Sequence, residues 1–202
     1  GEQDVFNFSL GGTTRVYFDT LTTDTALRWS LVGPRGTEIS LRTFYQSDAY
    51  EFGDGSPVLE LSGGDYALTV SRSSGTANYS FRLLNLATAA QLTPGTPVAS
   101  TLNPANETDL YRFTAAAGER YYFDITERSG GDTYWRLLAP NGRVVFDRSQ
   151  MNHPTHDVDV VTFDQDGVYT LLVEGRYYVG GSASYTFNVV KVTDDTAALV
   201  VG

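Results

Sequence analysis

The sequence predicts an all-β protein folded as two tandem antiparallel β-sandwiches. Three observations predict it: a text written twice, strand-type residues in every repeated block, and turn residues at sandwich spacing. "DVFNFSLGGTTRVYFD" at 4–19 returns as "DLYRFTAAAGERYYFD" at 109–124, with Asp4, Phe8, Arg15, Tyr17, Phe18 and Asp19 each 105 positions before its counterpart. The register then slips by one, so Trp29, Leu31, Pro34 and Gly36 match Trp135, Leu137, Pro140 and Gly142. "GDYALTV" (64–70) and "YSFRL" (79–83) return as "GVYTLLV" (167–173) and "YTFNV" (185–189). Small slips between strong matches are what loop insertions leave in a tandem duplication.

Taken in order, the repeated blocks read as strands. "RVYFDTL" and "RYYFDIT" crowd β-branched and aromatic residues together. "YALTV" and "YSFRL" alternate apolar with polar, as a sheet with one buried face requires. No window sustains a helical period. In "GPRG" (33–36) and "APNG" (139–142) Pro sits where a type I turn wants φ near about −65°, and Gly closes the turn. "GGD" and "DQDG" then turn the chain into Tyr66 and Tyr169. This gives about seven or eight short strands per copy.

The first copy is expected over residues 1–86 and the second over 96–192, with a Pro-, Thr- and Ala-rich linker at 87–95. "TPVASTL" (96–102) reads as an opening strand that the first copy lacks. Residues 193–202 parallel the segment leading into the second copy, so they are expected to lead into a further repeat.

The formal charge of −10 argues against nucleic acid and anionic membranes as partners, since both need a basic surface. Cysteine is absent, which excludes thiolate nucleophiles, disulfides and cysteine-ligated zinc. No run approaches the roughly 20 apolar residues of a membrane helix, so no membrane insertion is expected. Neither a Gly-x-Ser-x-Gly elbow nor a phosphate-cradling Gly-Lys motif occurs, and neither histidine, His153 nor His156, has a counterpart in the first copy. The chain therefore reads as a non-enzyme.

A unit carrying Asp-x-Tyr-x-Phe, then "YYFDI", "GxYxLxV" and "YxFxV" in that order resembles the bacterial pre-peptidase C-terminal domain, and the resemblance spans both copies. It implies a jelly-roll-like sandwich that is extracellular or at the cell surface, one module among the other domains of a long secreted protein or repeat-in-toxin type adhesin. It implies an accessory, spacing or binding role rather than a catalytic one. Some collagenase-attached members bind calcium through an acidic linker and an Asp pair before the Asp-x-Tyr-x-Phe strand. Here that pair falls on Asn106 and Asp109, while Leu84–Gly95 carries no carboxylate.

Calcium, which favours clustered oxygen ligands, is the one cofactor the residues suggest, as a weak site at Asn106, Glu107 and Asp109. Short polar side chains at such a turn also cap its own backbone amides. Asp19 and Asp124 read as strand ends meeting solvated loops. Tyr17, Phe18, Trp29, Tyr66, Tyr122, Phe123, Trp135 and Tyr169 recur and are expected in the cores. Tyr45, Tyr50, Phe52, Tyr134, Tyr177 and Tyr178 lie in or beside loops that differ between copies, and are the candidates for gripping a glycan or protein on a target surface.

Overall fold

The computed structural model describes residues 1–47, 57–151 and 156–194, the side chains of 148–150 excepted. The first copy contributes β1 (Gln3–Leu10), β2 (Thr14–Thr20), β3 (Leu27–Gly33), β4 (Gly36–Thr43), β5 (Val58–Leu61), β6 (Gly64–Arg72) and β7 (Phe81–Asn85). A 3₁₀ turn at Leu86–Thr88 and β8 (Ala90–Gln91) lead into the second copy. That copy comprises β9 (Val98–Leu102), β10 (Thr108–Ala115), β11 (Arg120–Gly130), β12 (Thr133–Leu138), β13 (Val144–Gln150), β14 (Val158–Thr162), β15 (Gly167–Gly175) and β16 (Ala183–Val192).

Four sheets result, ordered β1-β6-β3-β4, β5-β2-β7, β13-β12-β15-β10-β8 and β14-β11-β16-β9. Numbering β9 to β16 as one to eight, the last two sheets read 5-4-7-2 and 6-3-8-1, with β8 added at the edge. These are the two interlocked Greek keys of a jelly roll. The first copy follows the same plan without an equivalent of β9: nothing among the described residues pairs with the outer edge of β7.

The duplication holds at the level of register. Asp4 faces Val70 and Phe8 faces Tyr66 across β1 and β6, as Asp109 faces Val173 and Phe113 faces Tyr169 across β10 and β15. Trp29 opposite Val70 and Trp135 opposite Val173 are both fully buried, each beside a bulge that shifts the next strand. Gly64 and Gly167 share a φ of 138°, and a Cβ there would stand 2.3 Å from Pro34 Cγ and 2.9 Å from Pro140 Cγ. The Pro-containing turn thus packs on a position only glycine fills in both copies.

Each sandwich has its own core. The first gathers Phe18, Trp29, Leu31, Phe44, Tyr66 and Leu68, with the Phe18 and Trp29 rings stacked at 4.2 Å. The second gathers Phe113, Phe123, Trp135, Tyr169, Leu171 and Phe187. A third cluster lies between them: Tyr17 and Leu86 with Val58 and Leu84 from the first copy, against Leu138 and Leu172 with Leu110 and Val144 from the second. The four sheets are therefore stacked in one pile, with three apolar layers between them. Alternation in β2 and β15 gives way to continuous burial, because each has a packed layer on both faces.

Residues 87–95, expected as a linker, belong to this pile. β8 pairs in parallel with β10, Leu92 is buried in the second core, and Gly95 donates its amide to the Val189 carbonyl at 2.8 Å. Composition does not separate a Pro- and Thr-rich linker from an ordered edge segment; the burial of Ala89 and Leu92 decides it. Residues 195–202 lie outside the described residues.

Candidate functional site

The residues read as a weak calcium set sit close in sequence but point their oxygens to different partners. Asp109 Oδ2 accepts the Tyr185 hydroxyl at 2.6 Å and the Ser100 hydroxyl at 3.3 Å. Glu107 caps the Asn103 amide at 2.8 Å and pairs with Arg82 at 3.2 Å. Asn106 is buried, its Nδ2 directed at the Tyr177 carbonyl at 3.5 Å. The first copy repeats the central bond, Tyr79 donating to Asp4 Oδ2 at 2.6 Å. The duplicated Asp thus holds a tyrosine hydroxyl in each sandwich. Burial, and after it the neighbouring Tyr111 and Asp109, push the Tyr185 hydroxyl pKa upward, so this tyrosine remains a donor. Among the described residues no group of three or more acidic or histidine side chains is placed to hold a metal ion. His156 is exposed, and His153 lies outside the described residues. In the Asp-x-Asp-Gly turn, Asp164 pairs with Arg143 at 2.6 Å and Asp166 caps the Ala117 amide at 2.8 Å.

The more unusual chemistry lies at the junction between the copies. Asp19, expected at a solvated strand end, is fully buried there: the second copy covers it, and Arg82 meets it at 2.6 Å. The same guanidinium reaches Glu107 at 3.2 Å and the Thr108 carbonyl at 3.0 Å, so one arginine ties both copies together. Arg15 bonds Glu60 at 3.0 Å and also donates to the Pro140 carbonyl of the second copy. Beneath the apolar layer, Arg136 and Glu174 are both buried, 3.3 Å apart, and Arg136 also pairs with Asp147 at 3.0 Å. Burial pushes the Glu174 carboxyl up to about 8, and the pull of Arg136 only partly offsets it. Tyr17 and Tyr122, expected in the cores, also lie on outer sheet faces. Tyr17 fills the junction and Tyr122 donates to Asp157. A groove of about 560 Å³ runs along the junction between Arg15, Glu60, Asn85, Arg112 and Val168. Its two arginines are committed to Glu60, Pro140 and Ala87.

Of the six aromatic candidates, four converge. Arg176 lies over the Tyr134 ring at 4.4 Å and the Tyr178 ring at 5.2 Å, a cation–π arrangement. Tyr177 meets Tyr178 edge-on at 5.3 Å, and Tyr45 of the first copy reaches Tyr177 at 5.5 Å. Tyr50 and Phe52 lie outside the described residues. Arg176, the centre of the cluster, was not singled out in sequence; its only signal is a lone cation between Gly175 and Tyr177. Tyr178 is the cluster's exposed member, at 48%.

No protein-family profile and no curated protein matches the sequence. Among solved structures, the periplasmic inhibitor of g-type lysozyme PliG from Aeromonas hydrophila aligns over 52% of this chain and 96% of its own, at 14% identity and a TM-score of 0.43. PliG from Salmonella Typhimurium aligns over 50% and 97%, at 14% identity and 0.34. The CUB1-EGF-CUB2 domain of human MASP-1/3 aligns over 94% and 93%, at 7% identity and 0.29. Likeness at these scores carries nothing about binding or chemistry.

Two expectations follow from the site. The folded state holds the Glu174 proton up to about pH 8, whereas the unfolded chain releases it near 4.5. The stability this group contributes is full below the lower value and is lost as pH rises through the upper one. Melting temperature should therefore fall between about pH 5 and pH 9 more steeply in the wild type than in Glu174→Gln, by differential scanning calorimetry. Parallel curves would remove Glu174 as the cause. For calcium, a chelator should leave melting almost unchanged, any binding at Asn106 and Asp109 being in the millimolar range at about 10⁻⁴–10⁻³ M. Asp109→Asn should cost about 1 kcal/mol with or without chelator, because a neutral amide oxygen accepts the Tyr185 hydroxyl more weakly than the carboxylate does. A large chelator-induced fall reproduced by Asp109→Ala would overturn this.

Proposed function

We propose that the chain is a non-catalytic, two-unit module of the pre-peptidase C-terminal type. In this reading it belongs to a large secreted or surface-attached bacterial protein, such as an adhesin. It holds other domains of the same long chain apart and in fixed orientation. The supporting observation is the junction, which has an apolar layer and buried ion pairs where a flexible tether would have a polar, open surface. Interfaces between freely moving domains are small and polar, whereas this one encloses Tyr17, Leu86, Leu138 and Leu172. The acidic balance and the lack, among the described residues, of any helix long and apolar enough to cross a membrane fit a module displayed in water.

A second reading, a glycan- or protein-binding module, is favoured by the aromatic cluster at Tyr178. An exposed ring backed by Arg176 and two further tyrosines is held in place, so it stacks on a ligand at little entropic cost.

Rigidity is tested by Leu172→Lys, which buries a second cation directly opposite Arg136 in the middle layer. The cost should be about 3 kcal/mol or more. Calorimetry should resolve two transitions where the wild type has one, and small-angle scattering should show a larger radius. An unchanged single transition would sink the spacer reading. Binding is tested by screening glycan and peptide arrays with wild type and Tyr178→Ala. A ligand retained equally by both proteins would place binding elsewhere.

A further inference from the structure

We propose that the open edge of β7, with the uncovered rings beside it, is a strand-acceptor site. Its occupant is an extended segment of this repeat's own type, with apolar residues flanking a small hydroxyl residue at two-residue spacing. The second copy shows the occupied form. There Val98-Ala99-Ser100-Thr101-Leu102 pairs antiparallel with 183–187, Val98 opposite Phe187 and Leu102 opposite Ala183. Val98 packs against the core, Leu102 is fully buried, and Ser100 reaches Asp109, which holds Tyr185.

The receiving surface is written again in the first copy. "GTANYSF" at 75–81 repeats "GSASYTF" at 181–187, and Gly75 and Gly181 share a positive φ of 68° and 81°. The Asp–Tyr bond is repeated through Asp4 and Tyr79. The Glu2 carbonyl accepts the Arg72 amide at 3.2 Å, as the Glu107 carbonyl accepts that of Gly175 at 3.0 Å. What differs is cover. Among the described residues, 77–80 have no ladder partner, whereas their counterparts begin β16. Phe6 is 43% exposed where its counterpart Tyr111 is 9% exposed. Ala77, Tyr79 and Phe81 are only partly buried, while Ala183, Tyr185 and Phe187 are buried. A small cleft between Asp4, Leu27, Val70, Ala77 and Tyr79 lies where the inward side chains of such a strand would enter.

An exposed edge of this kind templates strand addition, main-chain hydrogen bonds giving affinity and alternate side-chain pockets giving register. β7 also carries Arg82 and Leu84 of the junction, but by analogy with β9 the added strand pairs with 77–81, ahead of them, so strand acceptance is read separately from the spacer reading.

The test has two arms. In the first, the sequence of Thr96–Ala105 is placed directly before Gly1, reproducing the spacing between β9 and Asp109. In the second, a synthetic peptide of Thr96–Asn103 is added to the intact protein. Each arm has a control with Asp at the positions of Val98 and Leu102. Amide hydrogen exchange at 77–81 should slow by about tenfold or more. The grafted protein should also gain about 4 °C or more in melting temperature. Protection in either arm that is absent from its Asp control supports the site. Absence of protection in both arms, or equal protection by the controls, overturns it. Exchange in β15 of the second copy is followed in the same samples, so a failure of the spacer reading registers separately.

Discussion

The structure depends on a single buried layer between the two sandwiches. Two of its four sheets pack against another sheet on both faces, and that condition determines what the residues on them do. Leu138, Leu172 and Tyr17 are as buried as any residue of the cores, although they point away from the cores of their own copies. Each fully buried large apolar side chain contributes about 1.5–3 kcal/mol relative to exposure. The charges enclosed with them, Asp19 and Arg136, contribute little net stability, because desolvation offsets much of the attraction to their partners. They fix which orientation of the two copies leaves no charge unpaired. Arg82 is central to that role, since it contacts Asp19 on its own sheet and Glu107 and Thr108 on the neighbouring copy.

The duplicated framework separates what the fold needs from what the junction needs. Register, bulges, the Gly–Pro turn contact and the Asp–Tyr bond are common to both copies and belong to the jelly roll itself. The outer faces have diverged. Where the second copy buries Arg136, Leu172 and Glu174, the first has Ser30, Thr69 and Ser71 on the face of β3 and β6 that no other sheet covers among the described residues. Val5 and Val32 remain on that face, 56% and 50% exposed. One scaffold thus carries a docked face and an open one without any change of topology.

The aromatic cluster shows the same economy. Tyr134, Arg176, Tyr177 and Tyr178 come from the end of β15 and its neighbour β12, and Tyr45 reaches them only because the copies are docked. The patch is therefore a product of the junction as much as of the second sandwich.

Strands, turns and duplication were legible in the sequence because they are local or periodic. Two-residue alternation, Pro–Gly turns and paired tryptophans recur wherever the same backbone is built. The convergence of Tyr45, Tyr134, Tyr177 and Tyr178 was partly legible, as aromatics in loops that differ between copies. What the sequence by itself could not assign was the far side of each sheet. A strand's outward residues look alike whether they meet water or another sheet, so Asp19 reads as a solvated strand end and Tyr17 as core. One trace of the answer is present: "ALTV" alternates in β6, whereas "TLLV" in β15 does not, the mark of a strand buried twice. Which copy's face would cover which, and hence that Asp19 is enclosed and Glu107 turns to Arg82, was decided only by the tertiary structure. Those contacts join residues from separate strands and copies, whose approach no local pattern encodes.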